Sequence, residues 1–206
     1  KNDIKLLIDF AKRNQTSLIP RTAGTSLAGQ CVGDGIVVDV SKYFTEIISL
    51  DAEKKIVTVQ PGVIRDELNR FLKPHGLFFG PNTSTSNRCM IGGMVGNNSS
   101  GSTSIQYGVT RDKVKELQVF LSDGSEVEFR ELGKEAFKEK LELSSLEGEL
   151  YRTLNDSLSK QKIKTQIKQN FPKPEIHRRN TGYAVDMLLD TSVFGNSDLP
   201  FNMCKL

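Results

Sequence analysis

Apolar residues mark out the first elements. Ile4, Leu7, Ile8 and Ala11 fall on one helical face, which predicts an amphipathic helix over Lys1 to Arg13. "TSLIP" then reads as a short strand, a loop follows, and "IVVDV" at 36 to 40 gives the next strand. "FTEIISLDAEKKIVTVQPG" places two apolar runs around a polar turn, the pattern of a hairpin. Ile64, Leu68, Phe71 and Leu72 predict a helix that starts after Pro61-Gly62 and stops at Pro74 and Gly76. Up to residue 80 the pattern is that of a compact α+β unit.

Between residues 80 and 110 the periodicity breaks down, and six glycines accompany a single charge, Arg88. Composition alone suits a flexible Gly/Ser linker. Two features oppose that reading. Cys89, Met90, Ile91, Met94 and Val95 form an apolar cluster that needs burial, and "IGGMVGNN" reads as a helical turn or tight bend packed on something. Paired glycines there allow backbone to approach a ligand closely. Beyond residue 110, Leu117, Val119 and Leu121 alternate before the turn at Asp123-Gly124, and Val127 and Phe129 follow it, a second hairpin. Residues 131 to 170, rich in Glu and Lys with leucines at helical intervals, predict one or two exposed helices.

Composition narrows the function classes. The chain has 206 residues, 37% hydrophobic and 26% charged, which is ordinary for a folded domain that needs no staples. Its net charge of +3, without aromatics interleaved among the basic residues, argues against nucleic acid. Cys31, Cys89 and Cys204 are isolated and odd in number, so they build neither a disulfide framework nor a metal cluster and suit a reducing compartment. No apolar run reaches the length of a membrane span, and Lys1 to Arg13 does not have the pattern of a signal sequence. The basic run from Lys160 to Arg179 reads as a solvated face, with attraction of an anionic substrate or partner as the alternative. Both ends look cut.

The chemistry concentrates in "PRTAGTSLAGQ", residues 20 to 30. Gly24 and Gly29 have the spacing of a nucleoside-triphosphate loop, but Gln30 stands where the phosphate-binding lysine is needed and Cys31 where the magnesium-binding hydroxyl is needed. A Rossmann reading of "GDGIVV" fails because its third glycine position is Val38. Taken with residues 80 to 110, the loop offers backbone N–H groups and hydroxyls with almost no lysine. That equipment binds a diphosphate through dipoles and nests, and suits a dinucleotide held tightly.

"PRTAGTSLAGQ", "GPNTSTSNRCMIGGMVGNNSSG", "YGVTRDKVKELQVFLSDG" and "NTGYAVD" occur in this order over nearly the whole chain. In this the sequence resembles the FAD-linked oxidases of the vanillyl-alcohol oxidase and p-cresol methylhydroxylase (PCMH) superfamily. It is most similar to the D-lactate, glycolate and D-2-hydroxyglutarate dehydrogenase branch, and there to long bacterial members with a C-terminal iron-sulfur region. The resemblance implies an α+β, two-lobed PCMH-type FAD-binding domain truncated at both ends. Residues 1–80 would form the first lobe with the pyrophosphate loop. Residues 81–206 would form the second, with the flavin-binding loops and a helical insertion over about 131–175, and the substrate cap would be absent.

The resemblance also implies roles. Arg21, Thr22, Ala23, Gly24, Thr25 and Ser26 would wrap the FAD pyrophosphate, Gly24 admitting the closest approach and Gly29 closing the loop. Pro81, Asn82, Ser84 and Thr85 would line the same channel. Gly92 and Gly93 match the family's "IGG", and Asn97, Ser99, Ser100 and Gly101 a small-residue turn beside the flavin. Tyr107 and Gly108 match a "YG" step that closes the site. Asn180, Gly182 and Tyr183 would lie near the flavin by family position.

Departures matter as well. Thr22 and Ala23 stand where the family often has glycines. Thr25 stands where relatives with tethered flavin place a histidine, so the FAD is expected to be noncovalent. The "GSEGTLGF" element is absent.

No catalytic residue is assigned. His75 reads as a helix-end capping group, His177 as paired with a carboxylate or solvated, and Arg88 as serving either a phosphate or a surface carboxylate. The implied activity is oxidation of a small-molecule 2-hydroxy acid by hydride transfer to FAD, with electrons passing to an acceptor protein or quinone. Any iron-sulfur cluster would lie outside this chain. The setting would be cytoplasmic or membrane-peripheral, without a transmembrane segment or nucleic acid. Two alternatives stay open: a reductase of the same fold using a nicotinamide donor, and a module that binds another phosphate ligand without flavin.

Overall fold

The computed structural model describes residues 1–173, 175–176, 179 and 182–206. His177 and Asn180 therefore lie outside the described residues. The chain divides into two compact units. Asp9–Lys113 form a glycine-rich unit, and Lys1–Ile8 together with Val114–Leu206 form a helical unit.

The expected helix is α1, Asn2–Arg13, and its residues are shared between the two units. In the glycine-rich unit, β1 (Leu18–Arg21) pairs in parallel with β2 (Ile36–Asp39), the loop between them being the crossover. The strands β3 (Ile47–Asp51) and β4 (Ile56–Val59) form the expected antiparallel hairpin, with a register irregularity between Ile47 and Ser49. Helix α2, Arg65–Leu72, lays Leu68 and Leu72 on this hairpin. With Val63 they form a buried cluster, against which Ile47, Leu50, Val57, Val59, Leu77, Phe79 and Ile91 pack. A short 3-10 turn, Lys73–His75, ends at Gly76 in the left-handed conformation, as the Pro-His-Gly stop signal predicts.

After residue 80 come three short helices, α3 (Ile91–Gly96), α4 (Ser104–Tyr107) and α5 (Thr110–Lys113), joined by turns. Cys89 and Met94 are buried, so this segment is a packed part of the unit and not a linker. Residue 80, expected as a boundary between lobes, lies inside the glycine-rich unit. The ties that hold 80–113 to 9–79 include isolated backbone hydrogen bonds from Arg65, Asp66, Ile91 and Gly92, side-chain hydrogen bonds and glycine contacts, which leave no periodic signal in the sequence.

The helical unit carries the hairpin β5 (Leu117–Phe120) and β6 (Glu126–Phe129), paired Leu117↔Phe129 through Phe120↔Glu126. A two-residue strand, β7 (Glu131–Leu132), pairs with β8 (Phe201–Asn202) near the chain's end. Between them lie α6 (Lys134–Leu141), α7 (Leu146–Leu158), α8 (Gln161–Asn170) and the single turn α9 (Asp186–Leu189). Ser145 caps α7 by accepting from the Gly148 N–H at 3.4 Å.

The region expected as one or two exposed helices is instead three, and they contribute four of the nine buried residues of this unit's core cluster. Phe137, Tyr151, Leu158 and Ile167 point inward and join Leu132, Leu188, Leu189, Phe194 and Phe201 in one buried cluster. Their Glu- and Lys-rich outer faces dominate the composition and hide the inward stripe. The Phe137 ring stands 4.8 Å from that of Phe201 and 5.7 Å from that of Tyr151, both edge-on. Among the described residues, no helix is long and apolar enough to cross a membrane.

Candidate functional site

Three loops of the glycine-rich unit meet. The first, residues 21–31, leaves β1 through Arg21. Gly24 has φ +64°, a conformation that L side chains rarely adopt. A β-carbon there would lie 2.9 Å from Arg21 Nε and 3.4 Å from Cys31 Sγ, so the arginine side chain is folded against the loop's own backbone. Arg21 also approaches Asp39 at 3.6 Å. The Ser41 hydroxyl and N–H hold the Asp39 carboxyl below its ordinary range, with Arg21 a lesser cause. Ser26 turns inward on its own loop and accepts from the Ala28 N–H at 3.4 Å. Gly29, also with positive φ, accepts on its carbonyl from Val32.

The second loop runs from Phe79 to Cys89 and the third from Ile91 to Gly101. The third touches both others. A β-carbon on Gly93 would come within 2.5 Å of Thr22 Oγ1, and Gln30 Nε2 donates to Asn97 Oδ1 at 3.2 Å. Asn97 in turn donates to Ser99 Oγ at 3.2 Å. On the other side, a β-carbon on Gly101 would overlap the Asn82 carbonyl, and Thr103 Oγ1 donates to the Gly80 carbonyl at 2.7 Å. Tyr107 packs edge-on against Phe78 with ring centroids 5.0 Å apart. Glycine is thus required at 101, where the neighbour is backbone, while at 93 a side chain would have to displace the Thr22 hydroxyl.

Of the residues expected to hold a cofactor, the structure gathers Thr22, Asn82, Gly93, Asn97, Gly101 and Tyr107 through these contacts. Gly92 lies against Pro61, and Gly108, of positive φ, against Asp112. Asp112 Oδ2 accepts from the Val109 N–H at 2.8 Å. The Ser99 carbonyl accepts from Thr110 Oγ1 at 2.7 Å. Thr85 anchors a turn by accepting from the N–H groups of Arg88 and Cys89, while Ser84 is exposed. Pro81 and Ser99 are buried, and Ala23 and Thr25 are half-buried. Gly182 and Tyr183 belong to the helical unit, where both are exposed. Arg88 is exposed and donates to Asn87 Oδ1 at 3.3 Å. His75 is exposed with its ring 6.2 Å from that of Phe71.

The donor set decides which ligand chemistry fits. Among the described residues, no protein acceptor takes the backbone N–H of any residue from Thr22 to Leu27 or from Asn82 to Thr85. Consecutive unpaired N–H groups form an anion-binding concavity, and backbone donors this numerous are seldom left unmatched. Gly24 presents no side chain to obstruct an approaching phosphate, and no lysine lies in either stretch. The residues therefore fit a diphosphate bound chiefly through backbone dipoles. A concavity of about 310 Å³ lies elsewhere, on the helical unit beside Phe137, Asn155 and Val193, and none of the expected site residues lines it.

Several residues of this site escaped the sequence reading. Gln30 ties the first loop to the third. Asn98 is buried at φ 44° and accepts from the Arg111 N–H at 2.9 Å. Arg65, Asp66 and Asn69 bond the second loop. A charged pair directly at the start of an amphipathic helix was the signal available for the first two.

Comparison with known proteins places this geometry in a family. Residues 1–130 match the model of the FAD binding domain. The chain belongs to that family. FAD is its cofactor. The FAD-binding domain is 40% identical over 187 residues to D-2-hydroxyglutarate dehydrogenase of Pseudomonas putida, covering 91% of this chain and 18% of that protein. It is 36% identical over 124 residues to glycolate oxidase subunit GlcD of Bacillus subtilis, covering 60% of this chain and 26% of that protein. The chain thus spans about a fifth to a quarter of these relatives. The carbohydrate oxidase of Microdochium nivale shares the fold at TM-score 0.55 and 24% identity, over 61% of this chain and 27% of that one. The α+β FAD-binding fold expected from the sequence is the one observed.

Proposed function

We propose that this FAD-binding domain serves a dehydrogenase that oxidises a 2-hydroxy acid of the D-lactate, glycolate or D-2-hydroxyglutarate class. The observation that carries the reading is the pair of N–H runs, 22–27 and 82–85, joined through the third loop and with no lysine in either. The substrate class is supported by the similarity to the Pseudomonas putida enzyme, which at 187 residues extends beyond the 130 of the family match. FAD, when bound, supplies the acceptor for the substrate's hydride.

This chain's own residues do the holding. Arg21 to Ser26 and Asn82 to Thr85 take the diphosphate, Gly93 and Gly101 let the loops close on one another, and Tyr107 flanks the site against Phe78. Threonine at position 25 gives the flavin no histidine to bond, so it is held noncovalently. Removing the hydroxyl proton needs a base, and fixing the substrate carboxylate needs cations or a metal. The exposed His75 suits neither task, and both are assigned to residues outside this chain. An acceptor protein or quinone then takes the electrons, in a reducing compartment that suits the three free cysteines.

Anaerobic mixing of the full-length protein with D-lactate, glycolate and D-2-hydroxyglutarate tests the reading. At least one should bleach the flavin absorbance, and acid precipitation should release all the flavin into the supernatant. Bleaching by a reduced nicotinamide and by none of the acids would replace the dehydrogenase with a reductase. A protein without flavin would overturn both.

A further inference from the structure

The second loop has no ladder or helix of its own from Phe79 to Thr83, so the partners of its backbone must come from elsewhere. For Phe79 and Pro81 they come from the first turns of α2. Arg65, with a side chain only 12% exposed, uses three nitrogens on three acceptors. Nε donates to the Pro81 carbonyl at 3.1 Å, Nη2 to the Phe79 carbonyl at 3.2 Å, and Nη1 to Asp66 Oδ1 at 2.8 Å. The other carboxylate oxygen of Asp66 accepts from Ser86 Oγ at 3.0 Å. The Asp66 N–H donates to the Ser86 carbonyl at 3.2 Å, and the Arg65 N–H to the Cys89 carbonyl at 3.0 Å. One turn further along α2, Asn69 Oδ1 accepts from the Phe79 N–H at 2.6 Å.

We propose that Arg65 and Asp66 are a positioning pair for the cofactor loop. Holding the carbonyls of Phe79 and Pro81 at one end and Ser86 at the other, they fix the intervening Asn82–Thr85 with its N–H groups left to the FAD diphosphate. The role rests on the FAD reading above. An ordinary helix-capping pair would satisfy groups of α2 itself, whereas two of the three Arg65 acceptors lie 14 and 16 residues away in the loop. The planar guanidinium is suited to this because its donors diverge at fixed angles, which a lysine ammonium on a flexible stem cannot reproduce. Asp66 holds the fork in that plane and adds a tether of its own through Ser86.

The test compares wild type, Arg65→Lys and Asp66→Asn in the full-length protein. It measures FAD affinity by flavin fluorescence, and amide exchange in the apoprotein at residues 68–72 and at the loop amides that have protein acceptors, Phe79, Ser86, Arg88 and Cys89. Arg65→Lys should weaken FAD binding at least tenfold and Asp66→Asn by a smaller factor. Both should speed exchange at Phe79, Ser86, Arg88 and Cys89 while leaving 68–72 protected. Arg65→Ala supplemented with free guanidinium should recover part of the affinity. Unchanged affinity in Arg65→Lys, or equal acceleration in the loop and in α2, would overturn the positioning role. Wild-type protein that holds no flavin would instead overturn the FAD reading. Loop exchange in the apoprotein separates the two failures because it needs no cofactor.

Discussion

In the helical unit, rings and aliphatic side chains supply the order. Phe201 and Tyr151 are wholly buried, Phe137 nearly so, and their packing gathers segments as far apart in sequence as β7 and α9. In the glycine-rich unit the same work around the loops falls to polar side chains gripping backbone, as Arg65, Asn69 and Thr103 do. The contrast follows from what each must leave free. A strand or helix through residues 22–27 or 82–85 would consume the N–H groups that the proposed reading gives to an anionic cofactor; those stretches are irregular and are held from the side. A packed core has no such constraint and can close over every polar group of its backbone.

Substitutions in the two units should therefore fail differently. The largest effect is expected from Phe201→Ala, which removes a fully buried ring and should cost about 3–5 kcal/mol. Amide exchange should rise across 114–206 while residues 63–72 stay protected. Equal loss in both units would erase the distinction. Gly101→Ala is the counterpart: its methyl group would overlap the Asn82 carbonyl, and the forced shift should cost about 1–3 kcal/mol. Here FAD affinity should fall and the aromatic core remain protected, as exchange measurements on the same samples would report.

A third effect concerns alkaline pH. Burial pushes the Cys204 thiol up from a free thiol's 9.0 to about 11, and its Sγ–H donates to the Phe129 carbonyl at 3.2 Å. The folded state then retains a proton that the unfolded state has lost. The resulting stability is complete below pH 9 and disappears as pH rises toward 11, by about 2 kcal/mol in all. Urea midpoints at pH 8 and 11 should converge in Cys204→Ala more than in wild type. The smallest effect should be a gain. The Tyr151 hydroxyl is buried and finds no acceptor among the described residues, so Tyr151→Phe should raise stability by about 1 kcal/mol in urea melts.

The first hairpin and α2 were legible because alternating or helically spaced apolar residues bury one face, and burial writes a period into the sequence. The unit boundary was not, because the bonds that cross residue 80, from Gln30 to Asn97 and from Arg65 and Asp66 to the second loop, act across long separations with no period to betray them. Helices α6 to α8 were visible as helices, but their role in the core was masked by the lysines and glutamates opposite Phe137 and Ile167. β7 and β8, two residues each and far apart in sequence, are too short for any alternation to register. For the site, glycine spacing pointed to a phosphate and the missing lysine to backbone donors. The residue list came from family resemblance. Arg65 escaped because a guanidinium that binds carbonyls looks, in sequence, like any charged first turn of a helix.

The helical unit is discontinuous in the chain, and this sets an order of events during synthesis. Asp9–Lys113 leaves the ribosome as one uninterrupted stretch, while Lys1–Ile8 must wait for Val114 and all that follows before its own unit can be completed. At about 5–20 residues per second, that wait lasts seconds to tens of seconds. The nascent chain thus passes through a stage in which the loops of the proposed cofactor site can already be assembled and the aromatic core does not yet exist.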